Sequence, residues 1–203
     1  MKEIERALAR AGKLRYEQEV GQAADRLAGA AVERGLADIC YALADSPLGP
    51  LLAARTKKGL VTLAYVSSGV DDALATLASE LSPRVLEAPA RFDDVRRELD
   101  EYFDGRRRSF DVPIDWALTK GFTRRVLAAT ARIPYGNVTT YGAVAAKAGS
   151  PRGNRAAGNA LGSNPIPIVV PCHRVVRAGG ALGGYGGGVD KKEFLLRLEG
   201  AHS

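Results

Sequence analysis

Residues 164–176 read NPIPIVVPCHRVV, and no other run limits the fold as strongly. Prolines at 165, 167 and 171 lack the backbone donor that a helix needs, and β-branched Ile and Val fill most of the places between them. The pattern predicts a rigid, extended, apolar strand ending on Cys172 and His173, with arginines at 174 and 177. The chain has only two cysteines and two histidines in 203 residues, and one of each stands here.

The remainder of the chain must frame that strand. Residues 1–37 read as a helix rich in Ala, Glu and Arg, with Ile4, Leu8 and Leu27 as its apolar points; a surface or capping role follows, without chemistry. From residue 38 the runs DICYALA, LLAART and LVTLAYVSS, separated by DSPLGP and KKG, predict an antiparallel meander. DDALATLASEL (71–81) and RFDDVRRELDEYFDG (91–105) read as amphipathic helices. The second carries Phe92, Val95, Leu99, Tyr102 and Phe103 on one face and stops at Gly105. This gives a small mixed α/β unit over 38–112 with no catalytic cluster. The Arg106–Arg108 run is more simply a solvated helix end than a phosphate grip.

Residues 113–203 form a second unit. A helix over 119–133 with Phe122, Val126, Leu127 and Ile133 inward is followed by two short helices, VTTYGAVAAKAG (138–149) and SPRGNRAAGNALGSN (150–164), joined as a helix-turn-helix. Thr139 or Thr140 caps the first of these. The second is nearly bare of bulk, which suits either a groove wall or close packing on another helix. AGGALGGYGGG (178–188) matches no nucleotide-cradling pattern and reads as a turn-rich wall. VDKKEFLLRLEG (189–200) closes the chain as a helix with Phe194, Leu195 and Leu198 inward.

Charge separates the two units. Residues 1–112 carry 17 Lys and Arg against 19 Asp and Glu; residues 113–203 carry 12 against 4. The basic half reads as a phosphate-facing surface. No apolar run approaches the roughly 18 residues of a membrane span, and the charged N-terminus MKEIERALARAGKL is not a secretory signal. Cys40 and Cys172 are too few for a disulfide framework and form no CxxC pair, so a cytoplasmic, reducing setting is the default.

Four roles compete for Cys172. It can be a buried small hydrophobe, the usual fate of a free cysteine. Metal binding is the weakest role, because the Cys and His residues at 40, 172, 173 and 202 have no ligand spacing. A papain-like pair is disfavoured because neighbours on a strand face opposite sides, unless the strand ends at Pro171 and the chain turns. The last is a lone activated thiol, which needs a positive or proton-accepting neighbour. His173, Arg174 and Arg177 offer one, with Glu199 as the carboxylate that orients the histidine.

PCHRVV, preceded by NPIPIVV and followed by GGYGGG and KKEFLLRLEG, resembles the active-site signature of the O6-alkylguanine-DNA alkyltransferases, the methylated-DNA–protein-cysteine methyltransferases. The likeness covers residues 115–201 closely, and SPLGPLLAARTKKGLVTLAY resembles the family's ribonuclease H-like domain more loosely. The resemblance implies an α/β (α+β) fold: a small ribonuclease H-like domain over 38–112, then a mostly helical, winged-helix-like DNA-binding domain over 113–203 with a helix-turn-helix. The helical extension 1–37 has no counterpart.

The same resemblance implies roles. Cys172 accepts the alkyl group, His173 deprotonates it through a water, Glu199 orients His173, and Asn164 is the hinge between recognition helix and active-site strand. Tyr141, Tyr185, Gly186 and the main chain at Val175 meet the flipped base. Arg155 enters the base stack, Tyr141 crowds the 3′ phosphate, and Arg152, Asn154 and Gly158 lie along the DNA; Arg174 braces the site by ion pairing. The implied partner is double-stranded DNA containing O6-alkylguanine (and O4-alkylthymine), flipped through the minor groove. The implied reaction is a single, irreversible transfer by a protein that is monomeric in solution, with clustering on DNA left open. No cofactor, metal or membrane is implied; the zinc that some members bind lacks its cysteines and histidines here. A helix-turn-helix regulator or a non-enzymatic sensor of alkylated bases is the rival reading, and a cysteine hydrolase a distant third.

Overall fold

The computed structural model describes residues 2–66 and 69–201, with the backbone alone for residues 2–12, 14, 17 and 18. The side chains of Ile4 and Leu8, as well as Ser67, Ser68 and His202, thus lie outside the described residues.

The meander forms as expected: β1 (Ile39–Ala44), β2 (Leu51–Thr56) and β3 (Gly59–Tyr65) pair antiparallel. A short β4 (Val85–Glu87), which the sequence reading did not anticipate, returns beside β1 in parallel, giving the order β3-β2-β1-β4. The connection to β4 carries α2 (Asp71–Glu80). Alternation along the strands sends Ile39, Leu52, Ala54 and Val61 toward Leu77 of α2. Cys40, Ala42, Leu51 and Ala53 face the other way, toward Val95, Leu99 and Tyr102 of α3 (Asp93–Phe103). Both sheet faces are therefore covered.

The long α1 (Lys2–Glu33) precedes the sheet. Ala28 and Val32 near its end reach the core, whereas Leu27 is 73% exposed and is not an inward anchor. Within the Arg106–Arg108 run, Arg106 pairs with Asp104 and Arg107 with Glu101 and Asp111, while Arg108 lies over the ring of Tyr135.

The second half contains α4 (Gly121–Thr130), β5 (Thr139–Thr140), α5 (Tyr141–Lys147), α6 (Asn154–Gly162), β6 (Val175–Val176) and α7 (Val189–Leu198). β5 and β6 pair in parallel, and Thr140 caps α5 by accepting from the Ala143 N–H at 3.2 Å. α6 serves both purposes open to it: Ala157 and Ala160 are buried beside α4 and α5, while Asn154 and Arg155 stay exposed. In α7 the inward residues are Lys192, Leu195 and Leu196, not Phe194, which is 36% exposed. One core cluster runs through both halves, from Ala42 and Leu60 to Leu127, Ile166 and Val170.

The outer edge of β3 is where the halves join. Leu60 N–H donates to the Pro113 carbonyl at 2.7 Å, Asp115 N–H to the Leu60 carbonyl at 2.8 Å, and Leu63 N–H to the Pro165 carbonyl at 2.8 Å. Gly59 makes the first of these contacts possible. Its φ is +144°, and a Cβ there would lie 2.2 Å from the Pro113 carbonyl oxygen. Gly59→Ala is expected to cost about 2–4 kcal/mol in urea unfolding, against about 1 kcal/mol for Gly105→Ala, where φ is +71° but the space is open. Equal costs would show that the edge contact does not hold the halves together.

Candidate active site

The run 164–176 is not a strand. Without amide hydrogens its three prolines cannot sustain a ladder, and the segment closes on short-range bonds instead. Val170 N–H donates to the Ile166 carbonyl at 2.8 Å, Cys172 N–H to Val170 at 2.8 Å, and Arg174 N–H to Pro171 at 3.0 Å. Cys172–Arg174 form one turn of 3-10 helix, and Val175–Val176 alone are extended. Fully buried Ile168 takes a φ of +72°, a strained conformation for a β-branched residue and the only such non-glycine case among the described residues.

Asn164, just past α6, ties this loop together. Its Nδ2 donates to the Val170 carbonyl at 2.8 Å and lies 3.1 Å from Cys172 Sγ, while Oδ1 accepts from Ile166 N–H at 3.1 Å. The chain does turn at Pro171, yet no hydrogen bond joins the Cys172 sulfur to the imidazole beside it. His173, wholly buried, points Nε2 at Glu199 Oε1, 2.9 Å away. Its Nδ1 is buried without a hydrogen-bond partner.

Glu199, one residue beyond α7, collects donors. Oε1 accepts from His173, from the Tyr102 hydroxyl at 2.6 Å and from Arg174 Nη2 at 2.8 Å; Oε2 accepts from Arg174 Nε at 2.8 Å and Gly136 N–H at 3.3 Å. Burial alone would raise this carboxyl, but the bonds from His173, Arg174 and Tyr102 hold it down at about 2. Burial pushes the His173 imidazole below its ordinary value, against the pull of Glu199. With Glu199 anionic, Nε2 carries the ring proton and Nδ1 is left as a bare acceptor. Arg174 is spent on Glu199 and the Ile133 carbonyl, as its bracing role requires.

Burial pushes the Cys172 thiol up to about 11, although Asn164, Lys192 and nearby backbone N–H groups pull the other way. Among the cations, Lys192 pulls hardest on the thiol, and Arg174 is engaged with Glu199. Lys192 is fully buried, donates to the carbonyls of Val175 (2.6 Å) and Leu182, and is drawn down to about 8 by burial.

A groove of about 720 Å³ leads to the sulfur. Tyr141, Asn154, Arg155 and Gly158 of the helix-turn-helix form one side, and Arg177, Tyr185 and Gly186 the other. Tyr141 donates to the Gly184 carbonyl at 3.3 Å. Arg155 is exposed and has no hydrogen bond or ion pair with any described residue; Arg152 stands exposed in the turn before α6. Val175 lies fully buried with its carbonyl engaged by Lys192, so its main chain does not border the groove.

Three residues escaped the sequence reading. Lys192 was detectable from helical phase, because it shares a face with Leu195 and Leu196. Tyr102 was placed on an apolar face without a partner for its hydroxyl, and a buried tyrosine needs one. Tyr65, whose hydroxyl lies 3.0 Å from that of Tyr185, gave no local signal at all. The first unit, read as free of chemistry, therefore touches the site at two points. Among the described residues, no cluster of His, Cys, Asp or Glu could hold a metal ion, and no helix is long and apolar enough to cross a membrane.

A basic helix-turn-helix groove that ends on a buried thiol, backed by a histidine–carboxylate pair and docked on a small α/β sheet domain, defines a class: DNA-directed proteins with a cysteine acceptor. The chain belongs to the 6-O-methylguanine DNA methyltransferase family, whose ribonuclease-like domain matches residues 39–116 and whose DNA-binding domain matches residues 121–201. The methylated-DNA–protein-cysteine methyltransferase of Methanosarcina acetivorans is 40% identical over 161 residues, 79% of this chain and 98% of that protein. Its counterpart in Mycolicibacterium paratuberculosis is 40% identical over 163 residues, 80% and 93% respectively. The crystal structure of Mycobacterium tuberculosis O6-methylguanine methyltransferase superposes with a TM-score of 0.69 at 37% identity, covering 81% of this chain and 94% of that one. The OGT of that organism in complex with DNA gives 0.68 at 38% identity, covering 80% and 93%. The rival reading as a regulator or passive sensor is not favoured by these relatives.

With Glu199 at about 2 against an ordinary 4.5, its contribution is fully present above about pH 5 and is lost as pH falls toward 2. On the order of 3 kcal/mol rides on that carboxylate. Urea unfolding at pH 5.5 and pH 3 should show Glu199→Gln less stable at the higher pH and losing less on acidification. Parallel losses in the two proteins would mean that Glu199 is not held as an anion.

Proposed function

We propose that this chain performs direct-reversal repair, transferring the alkyl group of O6-alkylguanine in duplex DNA, and of O4-alkylthymine, to its own Cys172. The observation that carries the reading is the bare Nδ1 of His173, a buried base on the residue next in sequence to a buried thiol, with Nε2 of the ring committed to a carboxylate.

In this reading the proton of Cys172 passes to Nδ1 through one water, and Glu199 stabilises the imidazolium that results. The thiolate attacks the O6-bound carbon; the S–C bond forms as the C–O6 bond breaks, the electron pair leaves with guanine, and the base takes up a proton in the pocket. The thioether has no route back, so each molecule acts once. A thiol near 11 is almost wholly protonated at neutral pH and inert to passing electrophiles, yet its thiolate, once formed, is a strong nucleophile. Lys192 would share in holding that thiolate.

O6 is unreachable inside a stacked duplex, so the nucleotide must be flipped. Arg155, exposed and uncommitted on α6, is suited to occupy the vacated stack, and Tyr141 to press the adjoining phosphate; Asn154, Gly158 and Arg152 lie along the same face. Gly186 and Tyr185 would bound the base from the other side, with Asn164 holding the loop. The basic half supplies the sequence-independent phosphate attraction of a damage scanner. We assign the division of labour to residues 38–112 as scaffold and 113–203 as reader and acceptor, with 1–37 an extension. The protein would act as a monomer, without cofactor, and its two free cysteines suit the reducing cytoplasm.

Intact mass after incubation with O6-methylguanine duplex should rise by about 14 Da, one methylene, in the wild type and not in Cys172→Ala, which should still bind DNA. A gain on the mutant would reject Cys172 as acceptor; no gain on the wild type would reject the reaction. Arg155→Ala should slow transfer from duplex by about 10-fold or more and leave transfer from free O6-benzylguanine within about 2-fold. Equal slowing on both would remove its role in the stack.

A further inference from the structure

The long helix α1 leaves the body of the protein. Its last turns are anchored: Ala28 is buried, Val32 packs on the core, and Asp25 accepts from Ala90 N–H at 3.3 Å. Every side chain described from Lys13 to Ala24 is exposed, and a Cβ built on Gly21 would meet nothing within 4 Å. The Arg15–Glu19 pair, 3.1 Å apart, supports this outer stretch from within, but such pairs add little to a helix in open water. Most helical stability in proteins comes from packing one face against something else.

One face of the outer stretch is apolar. Tyr16, Val20, Ala23 and Leu27 follow one another at intervals of four, three and four, the spacing of a coiled-coil seam. All four are exposed, Tyr16 by 68%, Val20 by 49% and Leu27 by 73%. The seam lies on a different face from Asp25, Ala28 and Val32, so the anchor leaves it bare.

The charge along α1 selects what covers this face. Residues 2–16 carry five Lys and Arg against two Glu, a balance of +3, whereas residues 17–33 carry one Arg against four Asp and Glu, a balance of −3. A second α1 laid antiparallel sets each basic half beside an acidic one, and a parallel one sets like against like. A DNA backbone would attract one half and repel the other. We propose that α1 is a self-association surface whose partner is the α1 of a second copy of this chain, antiparallel and joined along Tyr16, Val20, Ala23 and Leu27. The surface lies outside the matched ribonuclease-like domain, which begins at residue 39. Three large side chains per helix make a small contact, so single molecules prevail in dilute solution and pairs form at high concentration. Each protomer keeps its own thiol and groove and reacts by itself.

Sedimentation velocity of the full chain, from about 1 to 200 µM, tests this. The expected result is a monomer–dimer equilibrium with a Kd of about 10–100 µM, weakened about 5-fold or more between about 50 and 500 mM salt. Val20→Gln with Leu27→Gln, a neutral change at two exposed positions, should remove the dimer and leave affinity for duplex DNA within about 2-fold. Arg6→Glu with Arg10→Glu makes both halves acidic, and Glu17→Lys with Glu19→Lys makes both basic. Each of these variants should be monomeric alone, and the two should form a mixed dimer when combined. A wild type that stays monomeric throughout, a dimer that the Gln variant keeps, or charge variants that fail to pair with each other overturns the proposal. A monomeric wild type whose Gln variant loses DNA affinity gives the face to DNA and overturns it equally.

Discussion

A single buried anion organises this molecule. Glu199 takes donors from Tyr102 in the first domain, from Gly136 in the loop after α4, and from His173 and Arg174 in the active-site turn. An ionised carboxylate out of water is costly unless every lone pair is used, and here five donors use them. The consequence is geometric as well as energetic. The donors come from three separate parts of the chain, so the imidazole holds its orientation only when all three have assembled around Glu199.

That dependence explains why the two halves share one core rather than meeting at a polar seam. β3 offers its outer edge to Pro113 and Pro165, and an unpaired strand edge needs such cover. The active-site loop is thus one flank of the first domain's sheet. Its strained Ile168, its prolines and Asn164 fix the sulfur from within the loop, while Tyr65 and Tyr102 hold Tyr185 and Glu199 from across the interface. Strain of this kind persists only where surrounding packing over-determines it.

Burial shields the thiol of Cys172. The 6% exposure of Cys172 and its raised pKa keep the thiol neutral and hidden, so in the proposed reaction it meets only a group that enters the groove, once its own proton has passed to His173. α6 has two faces: Asn154, Arg155 and Gly158 line the groove, while Ala157 and Ala160 are buried against α4 and α5.

Most of the site was legible in the order of residues along the chain. The helix-turn-helix with its bare second helix, the meander and the basic half are local features, set by helical phase, turn residues and charge. The ordered set from Tyr141 to Glu199 is legible only through the resemblance to a known family. The conformation of 164–176 was misread, because prolines among β-branched residues suit a strand and a closed turn equally, and only the neighbours of their carbonyls decide between them. Lys192, Tyr102 and Tyr65 were likewise decided by tertiary structure. What makes each of them matter is a partner 10 to 120 positions away, Leu182, Glu199 or Tyr185, and a contact of that reach exists only once burial has removed water as the competing partner.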